Sequence, residues 1–235
     1  MNSTLILSDT HIGSVFFEKR CRALCDLISK FDQIILNGDF LDDFWDYEKT
    51  IHSSWFELFT ILKDKKVIYL FGNHDRDTDE IRRATEDFVD IYSDSYSISV
   101  ADKELYIMHG HTIYPRPDGI LYEEQKTSMG KIMQKIARSI WRWLYPLILK
   151  IRFIIEQYPK TLAKLQRPII QHQNERMKEY AKKHLLPHQI LVCGHSHYRE
   201  DAREEQFINT GANCYERLEY VSIIDAEIKL KTQDL

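Results

Sequence analysis

Five groups of polar residues follow one another along this chain of 235 residues. They are Asp9-Thr-His11, Gly38-Asp39-Phe-Leu-Asp42, Gly72-Asn73-His74-Asp75, a lone His109, and Gly194-His195-Ser-His197. Their carboxylates, amide and imidazoles supply oxygen and nitrogen, donors suited to Mn, Fe, Zn or Mg rather than to a thiolate-seeking ion. In Asp-x-His on extended chain, residues i and i+2 point the same way, so Asp9 and His11 are placed to grip one ion. A carboxylate such as Asp39 is able to bridge two. Without cations the cluster is unfavourable: two carboxylates ~4 Å apart at an effective dielectric of ~20 repel by about 4 kcal/mol, and a divalent ion between them reverses the sign. Gly38, Gly72 and Gly194 each precede a candidate ligand. Glycine permits the tight or left-handed turn that returns the next side chain to the site.

These groups need a frame that gathers them. Thr4–Ser8, Gln33–Leu36 and Lys66–Phe71 read as strands. Phe17–Lys30 and Ser54–Leu62 read as helices, with Cys21, Leu24, Cys25 and Ile28 spaced along one helical face. The β-α-β-α-β order predicts an α/β domain with a mostly parallel sheet. Tyr96–Val100, Leu105–Met108, Ile190–Cys193, Phe207–Asn209 and Tyr220–Ile224 are further predicted strands, and Thr210-Gly211 a turn or loop. Each polar group then stands at or just after a strand end. In open α/β sheets the binding crevice lies beyond the carboxyl ends of the strands, so one rim collects them all.

Hydrophobic residues at 43% and charged residues at 29% mark an ordinary soluble globular chain. Its length suits one domain, here 1–235, carrying an insertion. The formal charge of −4 hides an asymmetry. Residues 120–185 hold fourteen Lys and Arg against five Glu and no Asp, a net +9, which leaves −13 for the rest. This segment is predicted to be a basic helical insertion. Its apolar positions, Ile132, Ile136, Leu144 and Leu147 among them, fit helices packed on the domain. Trp141, Trp143 and Tyr145 among the cations also suit a membrane interface. Anionic lipid adds about 1 kcal/mol per nearby cation. Lys and Arg serve nucleic-acid phosphates too, but the apolar density favours lipid.

Cys21, Cys25, Cys193 and Cys214 form no C-x-x-C pair and read as reduced thiols in a cytoplasmic protein. The N-terminal residues read as a strand rather than a signal peptide. The most apolar run, Trp143–Leu149, contains Pro146 and falls short of the ~20 residues of a spanning helix. The expected location is the cytoplasm, peripheral to the inner face of the membrane.

The order D-x-H, G-D-x-x-D, G-N-H-D, a lone His, then G-H-x-H resembles the calcineurin-like metallophosphoesterase superfamily, over residues 9 to 197. The resemblance implies a four-layer αββα sandwich with a helical insertion, and two divalent ions, Mn foremost, with Fe, Zn or Mg as the other candidates. It implies that Asp9, His11, Asp39 and His197 hold the first ion. Asp39, Asn73, His109 and His195 would hold the second. His74 would be the acid near the leaving group, oriented by Asp42. The ions would lower a water's pKa and neutralise charge on the phosphoryl oxygens. Asp75 is expected to fix the Gly72–Asp75 loop. His111 stands open between metal ligand, substrate contact and hydrogen bonding. His52, His172, His184 and His188 have no motif around them and read as surface or core. A binding scaffold that had lost its chemistry would lack ligands, and none is missing.

Within the superfamily the chain is similar to the UDP-2,3-diacylglucosamine diphosphatases of lipid A synthesis. The similar features are its size, Gly38-Asp-Phe-Leu-Asp-Asp-Phe-Trp45, Tyr106-Ile-Met-His-Gly110, and the insertion before G-H-x-H. That group commonly carries Arg where this chain has His74. The similarity implies hydrolysis of a pyrophosphate bond, giving UMP and a lipid sugar phosphate, with 120–185 as an acyl-chain cap. A soluble phosphatase acting on nucleotides or phosphoproteins and a nuclease-like phosphodiesterase are the alternatives.

Overall fold

The computed structural model describes residues 3–13, 16–42, 54–114, 159–213 and 217–235. Strands β1 (Thr4–Leu7), β2 (Gln33–Asn37) and β3 (Lys66–Leu70) pair in parallel, with Ile6 opposite Ile35 and Ile35 opposite Ile68. They are covered on both faces, which is why TLIL, QIILN and KVIYL are nearly all apolar. Beside β3 lies the parallel β4 (Ile91–Ser93). Beyond β1 run the antiparallel β10 (Arg217–Ile224) and β11 (Glu227–Asp234), completing the order β11-β10-β1-β2-β3-β4. The second sheet contains β5 (Ser95–Val100), β6 (Lys103–Met108), β7 (Gln189–Cys193), β8 (Glu200–Ala202) and β9 (Phe207–Asn209). Its order is β5-β6-β7-β9-β8.

Between the sheets, Ile6, Ile35 and Ile68 meet Leu105, Ile107 and Val192 in one apolar layer. The other face of the first sheet carries helices α1 (Glu18–Ile28) and α2 (Phe56–Lys63). There Leu24, Ile28, Leu58 and Leu62 pack on Leu5, Leu36, Val67 and Tyr69. The face of α1 is the predicted one: Cys21, Leu24, Cys25 and Ile28 are all buried. Helix α3 (Asp79–Thr85) is capped by Thr78, whose hydroxyl accepts the Ile81 N–H at 3.2 Å. On the outer face of the second sheet, Met177 and Ala181 of α4 (Pro159–His184) pack against Leu191, Cys193 and Phe207. The layers are therefore helix, sheet, sheet, helix, the αββα sandwich expected.

Two compact units divide the chain, residues 1–114 with 174–235, and residues 115–173. The first holds both sheets. The described part of the second is the first part of α4. Most of the predicted insertion, Trp141 and Trp143 included, lies outside the described residues, as does Cys214. Cys21, Cys25 and Cys193 are buried free thiols. No helix among the described residues is long and apolar enough to cross a membrane.

Candidate metal centre

The polar groups sit where β1, β2, β3, β6 and β7 give way to loops. The first two loops continue the pairing of their strands. Asp9 N–H donates to Gly38 O at 3.1 Å, His11 N–H to Asp39 O at 2.9 Å, and Ile12 N–H to Phe40 O at 2.8 Å. Five of the candidate ligands have left-handed backbone: Asp9 (φ 51°), His11 (46°), Asp39 (52°), His195 (65°) and His197 (59°). Such conformations are uncommon outside glycine, although Asp and His adopt them more readily than most residues. Each costs about 1–2 kcal/mol and persists because the surrounding bonds hold it. Asp9 and His11 thus converge through left-handed turns, not through alternation along an extended chain. Of the three glycines, only Gly38 is itself left-handed (φ 76°). Gly72 and Gly194 are needed for space. A Cβ at Gly72 would overlap the Asp39 carboxylate, and one at Gly194 would overlap Asp9 and Ser8.

The ligand atoms of Asp9, His11 and His197 lie within 4.8 Å of one another, and so do those of Asp39, His109 and His195. Asn73 joins the second set, its Oδ1 3.3 Å from His109 Nε2, with Asp39 Oδ2 at 3.2 Å from the same nitrogen. His109 Nδ1 donates to Asn37 O at 2.9 Å, which commits Nε2 to the site. His195 Nε2 donates to Tyr114 O at 2.9 Å, leaving Nδ1 on the site side. A third group combines His11 with Asp42 and His74. His74 Nδ1 is 3.1 Å from Asp42 Oδ1, and its Nε2 is 4.0 Å from Asp39 Oδ2. The His74 side chain is 22% exposed while that of Asp39 is 1% exposed, so His74 forms the solvent side of the cluster.

The remaining candidates fall elsewhere. The ring of His111 is 5.5 Å from that of His109 and 6.4 Å from that of His195, yet it belongs to none of these groups. Cys193 is buried and also outside them. His172, His184 and His188 are exposed, and His52 lies outside the described residues. Cys21 and Cys25 lie near Glu57, but burial, then the neighbouring Cys21, pushes the Cys25 thiol up to about 12 and keeps it protonated.

The donor sets fit a pair of cations. His109 Nε2 faces two oxygens that have no proton to offer. Burial depresses the basicity of this ring, but the carboxylates of Asp39 and Asp9 raise its pKa to about 9, so a proton fills the gap. Burial likewise opposes ionisation of Asp39, yet the imidazoles of His109 and His74 hold it well below the usual carboxylate range. Asp9 is held low in the same way, burial being overcome by His197 and His109. Asp9 Oδ1 is buried without a hydrogen bond of sound geometry, although His197 Nε2 lies 3.0 Å away. His11 is neutral, pushed down to about 4 chiefly by burial, and its Nε2 faces His197 Nε2 at 3.4 Å. Buried lone pairs that converge and borrow protons are the chemistry of a divalent-cation site.

Residues with no part in the predicted constellation hold it in place. Asn213 donates its N–H to Asp9 O at 3.1 Å and its Nδ2 to Ser8 O at 2.9 Å. Ser8 Oγ meets Thr210 Oγ1. Ala212 N–H donates to Glu219 at 3.1 Å. The loop after β9 is therefore packed beneath Asp9 and is more than a connecting turn. The only sequence signal for this was the polar run Asn209-Thr-Gly-Ala-Asn213 at a strand end.

The family described as calcineurin-like phosphoesterase matches residues 3–199. No curated protein matches the chain. A dimetal phosphatase from Danio rerio is similar in fold, with a TM-score of 0.50 at 10% identity, covering 99% of this chain and 96% of its own. A phosphoesterase from E. coli reaches a TM-score of 0.45 at 12% identity, covering 99% of this chain and 98% of its own.

Proposed function

The chain belongs to the calcineurin-like phosphoesterase family and is a phosphoester hydrolase, and on that premise we propose that it cleaves a phosphoester or pyrophosphate bond at two divalent ions. The observation that carries this reading is the pair of donor sets, Asp9–His11–His197 and Asp39–His109–His195, drawn from the loops that follow β1, β2, β6 and β7. We assign Asp9, His11, Asp39 and His197 to one ion and Asp39, Asn73, His109 and His195 to the other. Bound there, the ions supply a water acidic enough to attack at neutral pH and charge to offset that on the phosphoryl oxygens.

The chain's own groups do the rest. Asp39 Oδ1 accepts the His74 N–H at 2.9 Å, which fixes the carboxylate while Oδ2 faces His109. Asp42 holds His74 through Nδ1 and so directs Nε2 into the cluster. From its solvent side His74 hands a proton to the departing oxygen.

For the substrate we propose a lipid-linked nucleotide of the UDP-2,3-diacylglucosamine type. Its support is Gly38–Trp45, Tyr106–Gly110 and the basic, Trp-bearing segment 120–185, taken as a cap for acyl chains at a membrane surface. His74 favours a second reading, a phosphoester with an alkoxide leaving group. A phosphate leaving from a pyrophosphate needs no proton, and an alkoxide does. Purified protein supplied with Mn tests both, against UDP-linked lipid, nucleotides and a chromogenic phosphodiester. UMP released from the lipid substrate is expected, and Asp39→Ala is expected to lose bound metal and activity together. Diester turnover without UMP release selects the second reading. An Asp39→Ala protein that keeps both metal and activity overturns the site.

A further inference from the structure

Asn174 is fully buried on α4, and its polar atoms all engage the segment that surrounds G-H-x-H. Its Oδ1 accepts the Ser196 hydroxyl at 2.7 Å and Asn209 Nδ2 at 3.3 Å. Its Nδ2 donates to Tyr198 O at 3.0 Å and to Glu200 at 2.8 Å. Asn209 closes the network, donating to Gly194 O at 2.7 Å and to Ser196 Oγ at 3.1 Å. Tyr198 N–H donates to Ser196 Oγ at 3.2 Å. Residues 194, 196 and 198 are thereby pinned to the scaffold. Between them stand His195 and His197, both left-handed, one in each donor set.

Left-handed backbone at two non-glycine residues relaxes unless something holds it. A buried amide, in turn, is costly unless all its hydrogen bonds are made. Asn174 meets both conditions with one side chain. We propose that Asn174 is a positioning residue of the metal centre, which through Ser196 and Tyr198 keeps His195 and His197 in the conformations that send one imidazole to each ion. This rests on the ligand assignment proposed above. Lys178, one turn further along α4, pairs with Glu175, Glu200 and Glu205. It fastens the same helix to β8 and provides the structural control.

The test compares Asn174→Ala, Ser196→Ala, Ser196→Thr, Lys178→Met and His197→Ala in the full chain. For each, bound Mn, the Mn concentration giving half-maximal activity and the unfolding temperature are measured. Loss of an outer partner of a metal ligand typically costs 10–100-fold in metal affinity or activity. Asn174→Ala and Ser196→Ala are each expected to raise the Mn requirement by about tenfold or more, with kcat recovered at saturating Mn. Ser196→Thr, which keeps the hydroxyl, retains the wild-type requirement. Lys178→Met lowers the unfolding temperature and leaves the Mn requirement unchanged. An Asn174→Ala protein with the wild-type Mn requirement, or one shifted no further than Lys178→Met, overturns the positioning role. If Asn174→Ala fails to fold, the contrast between Ser196→Ala and Ser196→Thr decides. His197→Ala separates the two readings. If it strips Mn and Asn174→Ala does not, only the positioning role is lost. If His197→Ala keeps both Mn and activity, the ligand assignment fails first.

Discussion

Asp75 holds Asp39 by its backbone: one oxygen, Oδ1, accepts both the Asp39 N–H and the Gly72 N–H, each at 2.8 Å. The other oxygen accepts Phe40 N–H at 2.7 Å, Leu41 N–H at 3.2 Å and the Tyr69 hydroxyl at 2.5 Å. A single buried carboxylate therefore shapes the loops after both β2 and β3, a wider role than fixing its own loop. Burial and the neighbouring Asp39 raise its pKa to about 6, against the pull of these donors.

Asp75→Ala removes an acceptor that five buried donors share. A buried donor left without its acceptor typically costs about 1–3 kcal/mol, part of it recovered where water enters the space the side chain vacates. At roughly 2–4 °C per kcal/mol for a chain of this size, the unfolding temperature is expected to drop by roughly 10 °C. Thermal unfolding of metal-free protein measures this directly. A drop within ~2 °C would show that the two loops are shaped by something else.

Metal binding is expected to tighten as pH rises. In the metal-free fold His109 has its pKa raised from 6.5 to about 9, burial being outweighed by Asp39 and Asp9. Its charge stabilises that fold fully below pH 6.5, and the contribution is lost as pH rises through about 9. Asp9 and Asp39 have lowered values and act with the opposite sign. Their contribution is present above their ordinary 3.8 and is lost as pH falls below it. A cation on His109 Nε2 must expel the proton, so apparent affinity should rise by up to about tenfold per pH unit below 9. Calorimetry of Mn binding in two buffers of different ionisation enthalpy counts that proton. Finding none released at pH 7 would remove His109 Nε2 from the ligand set.

Strands β1 to β3 were legible because both their faces are covered, and such strands read as unbroken apolar runs. The ligand candidates were legible because metal chemistry restricts residue type and each motif is contiguous. Strand β11 was not, since Glu-Ile-Lys-Leu-Lys-Thr-Gln-Asp at a sheet edge has the charges of a solvated segment. Strands β4 and β8 have three residues each, too few to establish a period. Asn174, Asn209 and Asn213 were silent for another reason. An uncharged amide carries no chemical signature, and their work is done across contacts such as that of Asn213 with Ser8, 205 residues away. The left-handed turns at Asp9 and His11 were hidden too, because that backbone is imposed by the neighbouring loop rather than chosen by these residues.

The proposed acyl cap yields a prediction that leaves the metal centre untouched. Trp141 and Trp143 are the residues of segment 120–185 best suited to an interface, where an indole ring pairs an apolar body with one polar edge. Changing both to Ser should reduce vesicle binding and lower kcat/KM for an acylated substrate by about tenfold or more, each buried indole being worth more than 1.4 kcal/mol. Turnover of a small chromogenic diester should stay at the wild-type rate. If both activities fall together, the segment supports the fold and does not hold the acyl chains.

His74→Ala separates the two substrate readings by the leaving group. Its imidazole is held by Asp42 at 3.1 Å and belongs to neither of the two ligand sets assigned above, so removal should leave bound metal unchanged. General acid catalysis contributes typically 10²–10⁴-fold, and only where the departing oxygen needs a proton in the transition state. A diester series with leaving groups of rising pKa should therefore show a deepening loss, from little at a nitrophenolate to about 10²–10⁴-fold at an alkoxide. Cleavage of a pyrophosphate, whose leaving phosphate is already stable as an anion, should fall far less. Equal losses along the series would mean that His74 binds the phosphoryl oxygens and gives up no proton. A slope that is steep for alkoxides, in an enzyme that barely turns over the UDP-linked lipid, would move the natural substrate from pyrophosphate to phosphoester.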